Sequence, residues 1–485
     1  MKDKVFKWGN FVRFTVLCAI FYPAHLVVNA ERLLNDADQT DSLSLSIEQD
    51  MLPSPAPETN GLFGFSIDSS GHLVIVGAPW TDILDVSLIA DAGAAYIYQC
   101  EENGTYGCIQ LTSLQAPVPQ KGDLFGFSVG ISGGIAVVSA PENGALGDPI
   151  SNNGGKVYVF ERNQGGEDAW GLVSTLTASD FAPWDNLGYS ISIDGDWIVA
   201  SAPWEDGGLG DPLLDSGAVY VFHRAATVSD PWSEVAILRA LDADSYDYFG
   251  ESIGISGETV VIGALLENGG AGDPLPESGA AYIFQRTGTE ITDWNQVANL
   301  HAPDAEPNDW YGQFVGIDGD IAVVVASRED GGADNFPAES GAAYVYHRNE
   351  GGTDQWGEFA ILHAPDAQSY QSYGSAISIK NNLIFLGAPG NDDLNGALTS
   401  NSGAVYLYRV DYGGRRAVEL IQKITQADEQ EDDLLGSAVT ASGKYLFAGA
   451  PGKGSDPQNT FPHAGAVFVF KILPHTIYLP AIFNH

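Results

Sequence analysis

Leu187-Gly188-Tyr189-Ser190-Ile191-Ser192-Ile193-Asp194-Gly195-Asp196-Trp197-Ile198-Val199-Ala200-Ser201-Ala202-Pro203 is followed by an acidic, Gly-rich loop and then by Ser216-Gly217-Ala218-Val219-Tyr220-Val221-Phe222. This passage returns seven times. Its first glycine recurs as Gly64, Gly126, Gly188, Gly250, Gly312, Gly374 and Gly436, at a constant interval of 62 residues. The alanine of the second segment keeps the same step from Ala78 to Ala450, and the glycine of the third keeps it from Gly93 to Gly465. Three anchors that hold one period without an insertion or deletion define a repeat architecture.

Ser190 to Ile193 reads as a short strand and Asp194-Gly195 as a hairpin turn, because Gly supplies the positive φ that such turns need. Trp197 to Ala202 is a nearly continuous apolar run, too short for an ordinary helix and ended by Pro203, which has no amide donor. Ala218 to Phe222 is a third such run, and a fourth strand is expected around Gly171 to Ala178, entered by Trp170. Central strands that are apolar throughout need cover on both faces. Packing each four-stranded antiparallel sheet between two like sheets, and closing the array into a ring, supplies that cover. The sequence therefore predicts an all-β, seven-bladed propeller.

The units resemble the FG-GAP repeats of the integrin α-subunit head and of bacterial surface proteins. Phe63-Gly64 with Gly77-Ala78-Pro79, and Tyr373-Gly374 with Gly387-Ala388-Pro389, carry the likeness, which spans about residues 61–472. Copy four departs with Gly263-Ala264-Leu265 and copy five with Val325-Ala326-Ser327, while copies three and seven begin Leu-Gly. Integrin repeats often place a D-x-D-x-D-G calcium loop between the first two strands. Here that position holds Ser132-Gly133-Gly134, Asp194-Gly195, Ser256-Gly257 or Lys380-Asn381-Asn382, so that calcium site does not carry over.

Residues 1–30 read as a secretory signal peptide, with Lys2, Lys4, Lys7 and Arg13 ahead of the apolar Phe14–Tyr22 and cleavage after Ala30. The rival reading, a membrane anchor, asks about 20 apolar residues where about 15 are present. Residues 31–44 are polar and expected to be flexible. The propeller is expected over 45–473, with 45–52 closing the ring as outer strand of the last blade, because the chain ends before the seventh copy reaches its own fourth strand. Residues 474–485 form a C-terminal tail, apolar enough from Thr476 to Phe483 to compete for that edge. Cys100 and Cys108 flank Asn103-Gly104 and are expected to form a cross-hairpin disulfide in an exported protein.

The chain carries 63 acidic against 21 basic residues, a formal net charge of −42. Without residues 1–30 the tally is 62 against 17, or −45. Such a surface repels nucleic acid and favours cations and basic partners. The acids gather in two loop sets on one side of the disc. The loops after second strands hold Glu142, Asn143 and Asp148; Glu205, Asp206 and Asp211; Glu267, Asn268 and Asp273; and Glu329, Asp330 and Asp334. The loops before first strands add Asp180, Asp185, Asp242, Asp244, Asp247, Asp304 and Asp309, while Arg162, Arg224, Arg286 and Arg348 gather opposite. A two-faced charge distribution is expected.

Repeated carboxylates with Asn and Gly are oxygen-rich ligands of the kind calcium takes, although soluble acidic turns read the same way and the spacing matches no EF-hand. A catalytic constellation would stand out as a break in the repeat, and none is apparent; H-E-x-x-H and phosphate loops are missing from the sequence. His301 and His363 share one context a period apart, as structural residues do. The expectation is a secreted or surface-displayed, monomeric binding or adhesion module without catalytic activity or a membrane-spanning segment in the mature chain. Its acidic loop face would meet a protein or glycan ligand, with calcium assisting. A carboxylate-based polysaccharide-active enzyme and a matrix component are the alternatives.

Overall fold

A computed structural model describes residues 46–473 apart from 85–86, 101–106, 143–153, 209, 211, 226–230, 271–273, 331–337, 393–400, 412–415, 428 and 455–459. The signal-peptide reading with its cleavage after Ala30, the 31–44 segment, the Asn103-Gly104 turn and the 474–485 tail lie outside the described residues. Seven four-stranded antiparallel sheets form a propeller, each running a–b–c–d from the central channel outward. In blade three the strands are Ile191–Asp194, Trp197–Ala202, Ala218–Arg224 and Trp232–Leu238. In blade seven, strands a to c are Ala438–Ser442, Tyr445–Ala450 and Ala466–Leu473, and strand d is Ser46–Pro53 from the other end of the chain. That strand pairs antiparallel with strand c from Ser46↔Leu473 to Pro53↔Ala466.

The apolar b and c strands lie buried between neighbouring sheets. Between blades three and four, Val199, Val219 and Val221 meet Phe249, Val260, Ile262 and Tyr282, all fully buried. Each such side chain contributes on the order of 1.5–3 kcal/mol, and one comparable cluster fills each of the seven junctions. Close backbone approach explains the Gly of the c-strand entry. Gly217 has φ +86°, and a Cβ there would sit 2.1 Å from the carbonyl oxygen of Phe249 in the next blade. Alanine would break that junction.

Strand a begins one residue later than the apolar pattern suggests, because Ser190 gives its N–H to the Ser201 hydroxyl (3.0 Å) instead of the ladder. Strand c runs on to Arg224, held opposite Trp232 of strand d, and strand d of blade two ends at Leu176, short of Ala178.

Strand a is the inner edge of each sheet, so its outward N–H groups need partners. They receive them from the blade before. Ser128 Oγ accepts the Ile191 N–H (3.1 Å), Ser190 Oγ that of Ile253 (3.3 Å), Ser252 Oγ that of Val315 (3.1 Å) and Ser378 Oγ that of Ala441 (3.1 Å). Asp68 Oδ2 does the same for Ile131 at 2.7 Å. Each step spans 63 residues, one repeat plus one. These stitches ring a central cavity of about 330 Å³ whose wall includes Ile131, Ile193, Ile255, Ile317 and Ile379.

Candidate functional site

The b–c and d–a loops of every blade emerge on one side of the disc. Among the described residues, the carboxylates singled out there are mostly internal braces. Glu205 is 3% exposed; its two oxygens accept the N–H groups of Gly207 (3.0 Å) and Gly208 (2.5 Å) and the Arg239 guanidinium. Glu267 holds Gly269 and Gly270 in the same way. Asp206, Asn268 and Asp330 accept the N–H of Asp215, Glu277 and Glu339 across their own loops. His301 Nδ1 lies 3.8 Å from Glu267, and His363 Nδ1 3.6 Å from Glu329. Glu142 is half-buried, and burial raises its carboxyl above the ordinary value. Asn143, Asp148, Asp211, Asp273 and Asp334 lie outside the described residues. Among the described residues no three His, Cys, Asp or Glu side chains group as metal ligands. For Glu205 the fit to a cation is poor, since guanidinium and backbone donors already occupy both oxygens.

A second layer ties blade to blade. Asp180, at the end of blade two, accepts the Tyr220 hydroxyl (2.7 Å) and the Arg239 guanidinium (2.8 Å) of blade three. Asp304 takes Tyr344 (2.8 Å), and Asp366 takes Tyr406 (2.6 Å) and Lys423 (2.7 Å). Beneath them lie Asp185, Asp247 and Asp309, at most 6% exposed. Burial pushes each up to about 7, with the neighbouring Glu205, Glu267 or Glu329 adding repulsion. In blade seven the same two positions hold Asp433 and Lys453, an ion pair at 2.8 Å, and in blade six Gln371 and Asn391, an amide pair at 3.1 Å.

The opposite side is not the bare cationic surface that the four arginines suggest. Arg162 pairs with Asp168 (2.6 Å), Arg224 with Glu161 (2.7 Å), Arg286 with Glu258, and Arg348 with Asp354 (3.0 Å). The partners Asp168, Glu258 and Asp354 lie in hairpin turns, and Glu161 lies in the c strand of blade two. Cys100 and Cys108 are disulfide-bonded there, with Cα atoms 4.1 Å apart, at the c–d hairpin of blade one.

Breaks in the repeat gather around the channel mouth on the loop side. The residue after each first glycine is Phe65, Phe127, Tyr189, Glu251, Gln313, Ser375 and Ser437 in turn. The second residue after each anchor alanine is Trp80, Glu142, Trp204, Leu266, Arg328, Gly390 and Gly452. Blades one to three thus carry a continuous arc of half-buried rings: Trp80–Phe65 (5.0 Å), Phe65–Phe127 (5.3 Å), Phe127–Tyr189 (5.3 Å), Tyr189–Trp204 (4.9 Å) and Trp204–Tyr248 (5.9 Å). Glu251 ends the arc, accepts the Tyr189 hydroxyl at 3.2 Å, and is pushed up to about 7 by burial. In blade five the Arg328 guanidinium lies 3.2 Å from the centre of the Trp310 ring. Reading for what repeats missed these residues; tabulating the two positions beside the anchors finds them.

Asp68 is another break, alone among Gly130, Ser192, Gly254, Gly316, Ser378 and Thr440 in its register. Its oxygens accept the Ile131 and Ser69 N–H groups, and burial raises its carboxyl to about 6. It is a stitch, like the serines.

A family model described as FG-GAP repeat matches residues 109–160, 170–222, 232–284, 294–346 and 356–408, just over half of the chain. Each match opens in or at an outer strand and closes within the c strand of the following blade, so the repeat unit straddles two blades. No curated protein matches the chain.

Proposed function

The chain belongs to the FG-GAP repeat family, and from that premise we propose an extracellular or surface-displayed binding module whose protein or glycan ligand lies across the loop side of the disc. The family fold suits binding and adhesion in general, and its propellers are typically non-enzymatic and extracellular. The observation that carries the finer reading is the arc Trp80–Phe65–Phe127–Tyr189–Trp204–Tyr248 around the channel mouth. Half-exposed aromatics on a rigid scaffold supply large contact area at small entropic cost. The Cys100–Cys108 bond suits an oxidising compartment. No helix among the described residues is long and apolar enough to cross a membrane.

Calcium enters this proposal as a counter-ion for a surface of net charge −42, not as a chelated centre. Screening like charges stabilises the compact state, and a cation that binds only that state raises its melting temperature. The test of the function is an array of glycans and matrix proteins probed with wild type and with Phe127→Ala/Trp204→Ala, with and without millimolar calcium. A ligand retained by wild type and lost by the variant supports the reading. Equal retention by both removes the arc from it.

A further inference from the structure

The arc of rings ends at Glu251 in blade four, and in blade six Ser375 stands in register with Phe65, Phe127 and Tyr189, and Gly390 with Trp80 and Trp204. Two bulky side chains are replaced by a hydroxymethyl group and a hydrogen. Beside Ser375 lies a cavity of about 340 Å³ between blades five and six, lined by Trp310, Gln313, Arg328, Glu339, Tyr370 and Ser375 among others. That volume is at the lower end of small-molecule sites.

Three features make it a built site. Arg328 is the cation of its register, in a chain of net charge −42, and among the described residues no carboxylate pairs with it. The guanidinium is stacked on Trp310, whose Nε1–H donates to Glu277 (3.3 Å), so the stack is anchored. The Ser375 hydroxyl is buried with no hydrogen-bond partner, a state that costs roughly 1–3 kcal/mol unless a ligand fills it. Glu339 lines the same cavity without meeting Arg328. The cavity therefore offers a planar donor for an anion, an acceptor carboxylate for hydroxyl donors, and the 66% exposed Tyr370 ring at its rim.

We propose that this cavity binds a uronic-acid residue of a glycan, its carboxylate on Arg328 and its hydroxyls on Ser375, Gln313 and Glu339. An acidic peptide side chain would satisfy Arg328 but leaves Glu339 and the Ser375 hydroxyl unanswered; a sugar acid presents one carboxylate and several hydroxyls on one ring. A guanidinium forms two parallel hydrogen bonds to a carboxylate, which a neutral sugar cannot accept in kind. This inference rests on the loop-side binding reading and names the ligand class of that surface.

The experiment is calorimetric titration of the full chain with galacturonate and glucuronate trimers, a neutral galactose trimer, and an aspartate-bearing peptide. Arg328→Gln removes the cation. Ser375→Phe restores the ring of blades one and two and fills the cavity with Arg328 intact. Uronide binding that falls tenfold or more in each variant, with melting temperatures kept and the galactose trimer silent, is the expected result. Equal binding of the neutral trimer, uronide binding indifferent to both variants, or Arg328-dependent binding of the peptide alone would overturn the assignment. A ligand lost with Phe127→Ala/Trp204→Ala while no uronide binds would sink this inference and leave the broader reading standing; no ligand at all would sink both.

Discussion

Replacing Asp185 by Asn should stabilise the protein at pH 8 and flatten the dependence of its stability on pH. Asp185 is 3% exposed and pushed up to about 7 by burial, then by Glu205, Asp180 and Asp206. An unfolded Asp titrates near 3.9. Between those values the folded state holds a proton that the unfolded state has lost, so stability falls as pH rises. The contribution is complete below about 4 and gone above about 7. At roughly 1.4 kcal/mol per pKa unit it amounts to about 4 kcal/mol for one site. Asp247 and Asp309 are also raised to about 7, and three full contributions would rival the 5–15 kcal/mol net stability of a typical domain. Additivity therefore fails, and a net gain of a few kcal/mol on acidification is expected. The amide pair Gln371–Asn391 in blade six shows that the fold accepts a neutral group at this position. Scanning calorimetry at pH 8, 7, 6 and 5 measures the effect. Wild type should melt several degrees higher at pH 5 than at pH 8, since on the order of 1–2 °C per kcal/mol follows from scaling domain averages to this length. Asp185→Asn should melt higher than wild type at pH 8 and converge with it at pH 5. A variant with an unchanged slope, or a wild type that gains stability from pH 5 to pH 8, refutes the reasoning.

Lys453→Met strands the buried Asp433, whose partner stands at 2.8 Å with both side chains at most 5% exposed; urea unfolding should report a loss of about 3–5 kcal/mol, most of it recovered in Lys453→Met/Asp433→Asn. Deleting residues up to Pro53 uncovers strand Ala466–Leu473, and size-exclusion chromatography should show association through that edge; a monomer with native melting temperature would contradict this. Reducing Cys100–Cys108, which closes a loop with a separation of 8 residues, should cost less than the ~3 kcal/mol of a 15-residue loop, read as a small fall in melting temperature without loss of the propeller.

The fold was legible because its evidence is redundant. Gly64 to Gly436 and Ala78 to Ala450 keep one period across seven copies, and a close approach such as that of Gly217 to the Phe249 carbonyl leaves little choice of residue. The role of the inner-strand serines was not legible. Ser128 and Ser190 alternate with Val and Ile as on any half-wet strand, and only ring closure shows that each caps an N–H 63 residues on. The acids were seen, but the bracing work of Glu205 in blade three was not. That Glu205 folds back on Gly207 and Gly208 and meets Arg239 depends on a loop conformation that no spacing encodes. The pairing of the arginines was hidden for a similar reason, since Arg162 and Asp168 meet across a hairpin that composition treats as separate residues.

A surface repeated seven times offers every ligand seven equivalent places, so discrimination has to come from positions that break the repeat. Around this channel mouth the breaks are ordered. Rings fill blades one to three, Glu251 follows in blade four, Arg328 on Trp310 in blade five, and the small Ser375 and Ser437 in blades six and seven. An elongated ligand lying across the mouth meets an apolar platform on one side and a cationic cavity on the other, and so has one preferred direction. The stitches and buried acid pairs beneath keep the seven a strands in register, which lets the upper layer vary without cost to closure. Exchanging Trp204 with Leu266, one repeat apart, would keep composition and shift the end of the platform by one blade. If recognition is set by this order, such an exchange weakens binding as much as deleting the ring; if it is set by composition, affinity survives.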